Sequence, residues 1–103
     1  MGDRNELNQR ELEVFRSRSE RYPSNASLRF ELGLRLKRAG NFKEAITYLQ
    51  EGRNDPKRKG TVMLELGECF QRIKQFKLAM SSYNEAIEAG VKYAQRIRKE
   101  NER

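Results

Sequence analysis

The apolar residues of this chain recur at the three- and four-residue spacings of helix faces, and polar or turn-forming residues separate one run from the next. After a polar start at Met1 to Arg4, expected to fray, Leu7, Leu12, Phe15 and Ser19 fall along one side of a helix over Asn5 to Arg21, with Val14 off the stripe. Tyr22-Pro23 ends that helix, because the residue before proline avoids helical dihedrals and proline has no amide to donate. Ser24 or Asn25 caps the next helix with a side-chain oxygen. Ala26 to Ala39 turns Leu28, Leu32, Leu36 and Ala39 inward; Gly40-Asn41 makes a tight turn, with Asn41 as the following N-cap; Phe42 to Arg53 turns Phe42, Ala45, Ile46 and Leu49 inward. Asn54-Asp55-Pro56 ends this pair.

A second pair follows the same plan. Gly60 to Ile73 carries Val62, Met63, Leu66, Phe70 and Ile73 inward, and Phe76 to Glu88 carries Phe76, Ala79, Met80, Tyr83, Ala86 and Ile87. Ala89-Gly90 closes it, and Val91 to Arg103 forms a further charged helix with a thin stripe of Ala94 and Ile97. The two pairs are copies. Glu31-Leu32-Gly33, Arg38, Phe42-Lys43, Ala45 and Glu51 recur as Glu65-Leu66-Gly67, Arg72, Phe76-Lys77, Ala79 and Glu85 at a constant offset of 34 residues. A fixed offset without drift marks a structural repeat, whose single unit cannot bury its apolar face until a neighbour covers it. A glycine inside each first helix costs about 1 kcal/mol relative to alanine, so Gly33 and Gly67 are expected where a partner helix approaches closely.

These residues resemble the tetratricopeptide repeat family. Leu32-Gly33, Leu36, Ala45, Leu49 and Gly52 fill that family's slots in the first unit, and Leu66-Gly67, Phe70, Ala79, Tyr83 and Ala86 fill them in the second. The tryptophan-like slot departs, being Arg29 and then Met63, and Pro56 comes one residue early. In the same register Phe15 and Pro23 occupy the aromatic and closing-proline slots of a preceding half repeat. The resemblance implies an all-α fold of antiparallel helix-turn-helix repeats stacked as a short right-handed α-solenoid. It would form one domain over 1–103: a half-repeat helix at 5–22, repeats at 26–59 and 60–90, and a capping helix at 91–103. With about three repeats normally needed for stability, a piece of a longer protein or an engineered chain is the expectation.

Composition narrows the function classes. The chain has 103 residues, one cysteine and no histidine, so a disulfide framework and the usual histidine-based metal or acid-base sites are excluded. No phosphate loop or serine elbow is present, and no cofactor and no enzymatic activity are expected. Cys69 reads as an ordinary small residue on an otherwise polar flank of its helix. No run has the length and apolarity of a signal peptide or membrane span, and a cytoplasmic location is the expectation. Twenty-two Lys and Arg against 15 Asp and Glu give a net charge of +7, which favours acidic partners.

Removing the inward stripe leaves Ser27, Phe30, Glu31, Leu34, Lys37 and Arg38 on one helix, and Thr61, Leu64, Glu65, Glu68, Gln71 and Arg72 on the next. The resemblance implies that this face lines a concave groove holding a partner's peptide or helix. The family's carboxylate clamp uses Lys and Asn where Phe30, Leu34 and Glu65 stand here, so chaperone tails are not the expected ligand. The expected ligand is a protein segment with an apolar anchor for Phe30, Leu34 and Leu64 and acidic residues for Lys37, Arg38 and Arg72. A structural alternative has an upstream helix covering Phe30 and Leu34. Two other functions compete: a structural or self-associating fragment pairing through Leu7, Phe15 and Phe30, and an accessory nucleic-acid surface built from Lys57-Arg58-Lys59, Lys37-Arg38 and Arg96 to Lys99. The last is disfavoured, because Tyr93 is the only aromatic near the terminal cations, which alternate with Glu100 and Glu102.

Overall fold

The structure, a computed structural model, describes residues 2–101, all of them helix, turn or loop with no strand among the described residues. Among the described residues five α-helices follow one another: α1 (Gly2–Arg21), α2 (Ala26–Arg38), α3 (Phe42–Leu49), α4 (Lys59–Arg72) and α5 (Phe76–Asn101). A short 3-10 helix, Gln50–Gly52, follows α3. The sequence reads as one array over 1–103, but the chain divides into two compact units, Met1–Gly52 and Arg53–Arg103.

In the first unit α1 and α3 both pack against α2. The centre is aliphatic: Leu32, Leu36, Ala45 and Leu49 are fully buried, and α1 adds Leu12 and Ser19. Each such leucine contributes about 1.5 to 3 kcal/mol by leaving water. Leu7 departs from the predicted stripe and lies exposed. Of the two candidate caps, Asn25 is the one used, its Oδ1 accepting from the Leu28 amide at 3.0 Å. Asn41 stands at the N-cap of α3 without a side-chain hydrogen bond. The helix predicted over Phe42 to Arg53 is shorter than expected: it tightens after Leu49 into the 3-10 turn, where the buried Gly52 sits.

In the second unit α4 packs along α5. Val62, Met63, Leu66 and Cys69 of α4 are buried, with Ala79 and Ser82 of α5. The polar-flank assignment of Cys69 is thereby corrected: it is a core residue, and its small side chain suits the contact. Three residues predicted to face inward do not. Phe76, Met80 and Ile87 are exposed, because α5 has one helix beside it in this unit and α4 covers only the side that carries Ala79 and Ser82. The separate terminal helix is also corrected. α5 runs without interruption from Phe76 through Ala89-Gly90 to Asn101. Gly90 does not adopt a positive φ, no proline follows it, and Lys92 to Lys99 are mostly good helix formers.

The glycine expectation holds in both units. A Cβ at Gly33 would stand 3.0 Å from Leu49 Cγ and 3.1 Å from the Leu49 backbone nitrogen. At Gly67 it would stand 2.6 Å from Tyr83 Cε1.

A candidate interaction groove in the second unit

The predicted ligand face divides between the units, and its two parts differ. On α2, Phe30 is 7 % exposed and belongs to the buried set, so its assignment as an exposed anchor is corrected. A phenyl ring carries enough apolar area that burial is its favoured state wherever packing allows. Leu34, Glu31 and Lys37 are half-buried, and Ser27 and Arg38 are exposed.

A carboxylate of α1, Glu11, reaches into this region. Arg35 stacks over the Phe15 ring at 4.5 Å from its centroid, a cation-π contact. Its guanidinium donates to Glu31 Oε2 at 3.1 Å, and its Nε lies 3.3 Å from Glu11 without the alignment of a hydrogen bond. Arg38 also reaches toward Glu11, at 3.9 Å. Arg35 was not singled out by the sequence, since a cation near the inward stripe has no role until the ring of Phe15 is placed beneath it. On another side of the unit Arg16 donates to Glu44 Oε1 at 2.7 Å. That bond holds the Glu44 carboxyl below its ordinary range and raises the Arg16 guanidinium above its own. Arg29, the occupant of the tryptophan-like slot, donates to the Pro23 carbonyl and pairs with Glu51 at 2.6 Å. A hollow of about 170 Å³ lies among Arg16, Ser19, Pro23, Arg29 and Tyr48, but both of its arginines are already engaged by carboxylates.

On α4 the picture is more open. Thr61, Gln71 and Arg72 are exposed, Glu65 and Glu68 half-buried, and Leu64 is 45 % exposed despite its size. Thr61 and Leu64 line a groove of about 610 Å³ between the start of α4 and the middle of α5. Pro56, Lys57 and Gly60 form its near wall, and Tyr83, Ile87, Gly90 and Tyr93 its far wall. Tyr83 is held in place by its hydroxyl, which donates to Gln71 Oε1 at 2.7 Å. The structure thus brings Thr61, Leu64 and, through Tyr83, Gln71 to one place, while Glu65, Glu68 and Arg72 lie outside the groove lining.

Beside the groove lies a smaller recess of about 110 Å³, sharing Pro56, Ala89 and Tyr93 with it. Lys59, Lys92 and Arg96 line this recess with Glu85 and Glu88, and Glu85 is held by Arg53 at 3.2 Å. An apolar trough therefore adjoins, across a tyrosine, a recess of mixed charge in which Lys59, Lys92 and Arg96 outnumber Glu85 and Glu88, with Glu85 already held by Arg53. Sequence reasoning placed Leu64 and Thr61 on a ligand face and Lys57 to Lys59 in a basic loop, but it turned Ile87 inward and missed the recess and the place of Tyr93 beside it, which depend on α5 continuing past Gly90. Their signal was the unbroken run of helix formers after that glycine.

Among the described residues no group of three or more Asp, Glu, Cys or His is placed to hold a metal, and no helix is long and apolar enough to cross a membrane. No protein-family model matches the chain, and a search of curated proteins finds no relative.

Proposed function

We propose that the chain is a non-enzymatic protein-interaction module built from antiparallel helix-turn-helix repeats of the tetratricopeptide type, and that it takes a short protein segment in the groove of its second unit. The repeat reading is supported by the 34-residue offset together with the matching close approaches at Gly33 and Gly67. The single observation that carries the binding reading is the apolar groove joined to a basic recess across Pro56, Ala89 and Tyr93. An aliphatic or aromatic anchor fits against Leu64, Ile87 and Tyr93, where desolvation supplies affinity. An acidic residue one or two positions away reaches Lys59, Lys92 and Arg96, which set orientation and association rate. The ligand class is the one expected from the whole charge balance, now assigned to a different set of residues.

Selection of binders from a random peptide display library tests this. Enriched peptides should share one large apolar residue next to Asp or Glu. Leu64→Glu should abolish their capture while the melting curve stays close to wild type, and Lys92→Glu with Arg96→Glu should weaken capture in a salt-dependent way. Enrichment without that pattern, or capture that survives Leu64→Glu, overturns the assignment.

A further inference from the structure

The second unit presents another apolar surface, which meets the groove at Ile87 and otherwise lies outside it. Along α5, Phe76, Met80, Ile87 and Val91 are 59 %, 62 %, 66 % and 51 % exposed. At 100° per residue the four side chains fall within about 60° of arc, so they form one stripe rather than scattered exposures. A contiguous apolar stripe of this kind marks a contact surface. Part of it lines a shallow hollow of about 560 Å³ with Lys77, Asn84 and Glu88.

The order of the stripe says what covers it. Its spacing of four, seven and four residues is the same in both chain directions. Two copies of α5 laid antiparallel about a two-fold axis beside Tyr83 and Asn84 therefore place Phe76 against Val91 of the second copy and Met80 against its Ile87, with no apolar residue left unmatched. The flanking charges obey the same symmetry. Lys77 and Glu88 border the stripe on one edge, and antiparallel pairing faces like edge to like edge, so Lys77 of each copy meets Glu88 of the other. Asn84 falls near the axis, where two amides can hydrogen-bond each other. We propose that this chain forms an antiparallel, two-fold symmetric homodimer through the Phe76, Met80, Ile87 and Val91 stripe of α5.

The interface is isologous, as a two-fold dimer requires. It is also small, so association is weak, with a Kd on the order of 100 μM. The surface differs from the leading edge of Leu7, Phe15 and Phe30 that the sequence offered for self-association: Phe30 is buried, and Leu7 and Phe15 lie on α1.

Sedimentation equilibrium of the full chain across a concentration series from about 10 μM to 1 mM spans that Kd and tests the proposal. A reversible monomer-dimer equilibrium is expected. Phe76→Glu with Met80→Glu, both at exposed positions outside the groove lining, should weaken it more than tenfold with helical content unchanged. Lys77→Glu should weaken it several-fold, and adding Glu88→Lys should restore it. Orientation is read by cross-linking. Mixed Met80→Cys and Ile87→Cys chains should form a disulfide with each other faster than either does with itself, since seven residues separate like positions by about 10 Å, beyond disulfide reach. A chain monomeric throughout the series overturns the proposal. So does a dimer that survives Phe76→Glu with Met80→Glu, a charge swap that fails to restore association, or preferential like-with-like cross-linking. Leu64→Glu should leave the dimer intact, so failure of the groove reading and failure of this one are told apart.

Discussion

The two units answer the same 34-residue pattern with different contacts. Where Gly33 meets Leu49, a fully buried aliphatic side chain fills the approach; where Gly67 meets Tyr83, a half-buried ring does, and its hydroxyl reaches Gln71. The first unit has a third helix, and α1 covers α2 with Leu12 and Ser19 as well as with ion pairs. The second has two helices, one of which runs 26 residues and leaves most of its apolar side chains in water. Both units end the helix that carries Gly33 or Gly67 identically. The amides of Gly40 and Asn41 bond to Lys37 and Leu36, and those of Lys74 and Gln75 bond to Gln71 and Phe70. Yet the left-handed residue is glycine at φ 85° in one and lysine at φ 65° in the other. The shared pattern therefore goes with the same backbone turn and the same close helix-helix approach in both units, while the side chains that fill the approach, and the cover on the outside, differ between them.

The largest test removes the shared feature. Leu32→Ala and Leu66→Ala should each destabilise by about 2 to 5 kcal/mol, since each opens a cavity at a fully buried slot. Urea denaturation measures this; a loss at one position only would show that the two slots are not equivalent.

The glycines sharpen the difference. Alanine is the better helix former by about 1 kcal/mol, but at Gly67 its methyl group would overlap the Tyr83 ring, so Gly67→Ala should cost about 1 to 3 kcal/mol net. At Gly33 a shift of a few tenths of an ångström suffices, and Gly33→Ala should lie within about 1 kcal/mol of neutral. Combining Gly67→Ala with Tyr83→Leu, which copies the Leu49 arrangement, should recover part of the loss. Equal penalties in the single variants, with no recovery in the double, would mean that the ring is not the obstacle.

Lys74→Gly copies the Gly40 cap into the second unit. Removing the left-handed strain of a side-chain-bearing residue should stabilise by about 0.5 to 1 kcal/mol after the entropy of the added glycine is offset, visible as a raised Tm.

The smallest effect belongs to the first unit alone. Glu44 has a folded-state carboxyl value lowered by the Arg16 hydrogen bond, so its contribution is present above the unfolded value and is lost as pH falls through the folded one. Both side chains are about two-fifths exposed, so the pair is worth about 0.2 to 1 kcal/mol, screened by salt. Glu44→Gln should flatten the pH dependence of stability below about pH 4.5 and leave it unchanged near neutrality; an unchanged acid profile would remove the pair from the account.

By itself the sequence determined where most of the helices run, though not the end of α3 or the continuity of α5, and it determined the turn at Gly40, the aliphatic core and the reason for Gly33 and Gly67. These are local or pairwise matters, set by spacing, cap chemistry and the absence of a side chain. The sequence also set Leu64 and Thr61 off the inward stripe, and both lie exposed. Only the tertiary structure decided that Phe30 is buried, that Arg35 rests on Phe15, and that α5 passes through Gly90 to bring Tyr93 beside Pro56. The same holds for Phe76, Met80 and Ile87, whose periodicity is that of a covered face: hydrophobic spacing records that a side of a helix is apolar, but whether something lies against it depends on which neighbours the fold supplies.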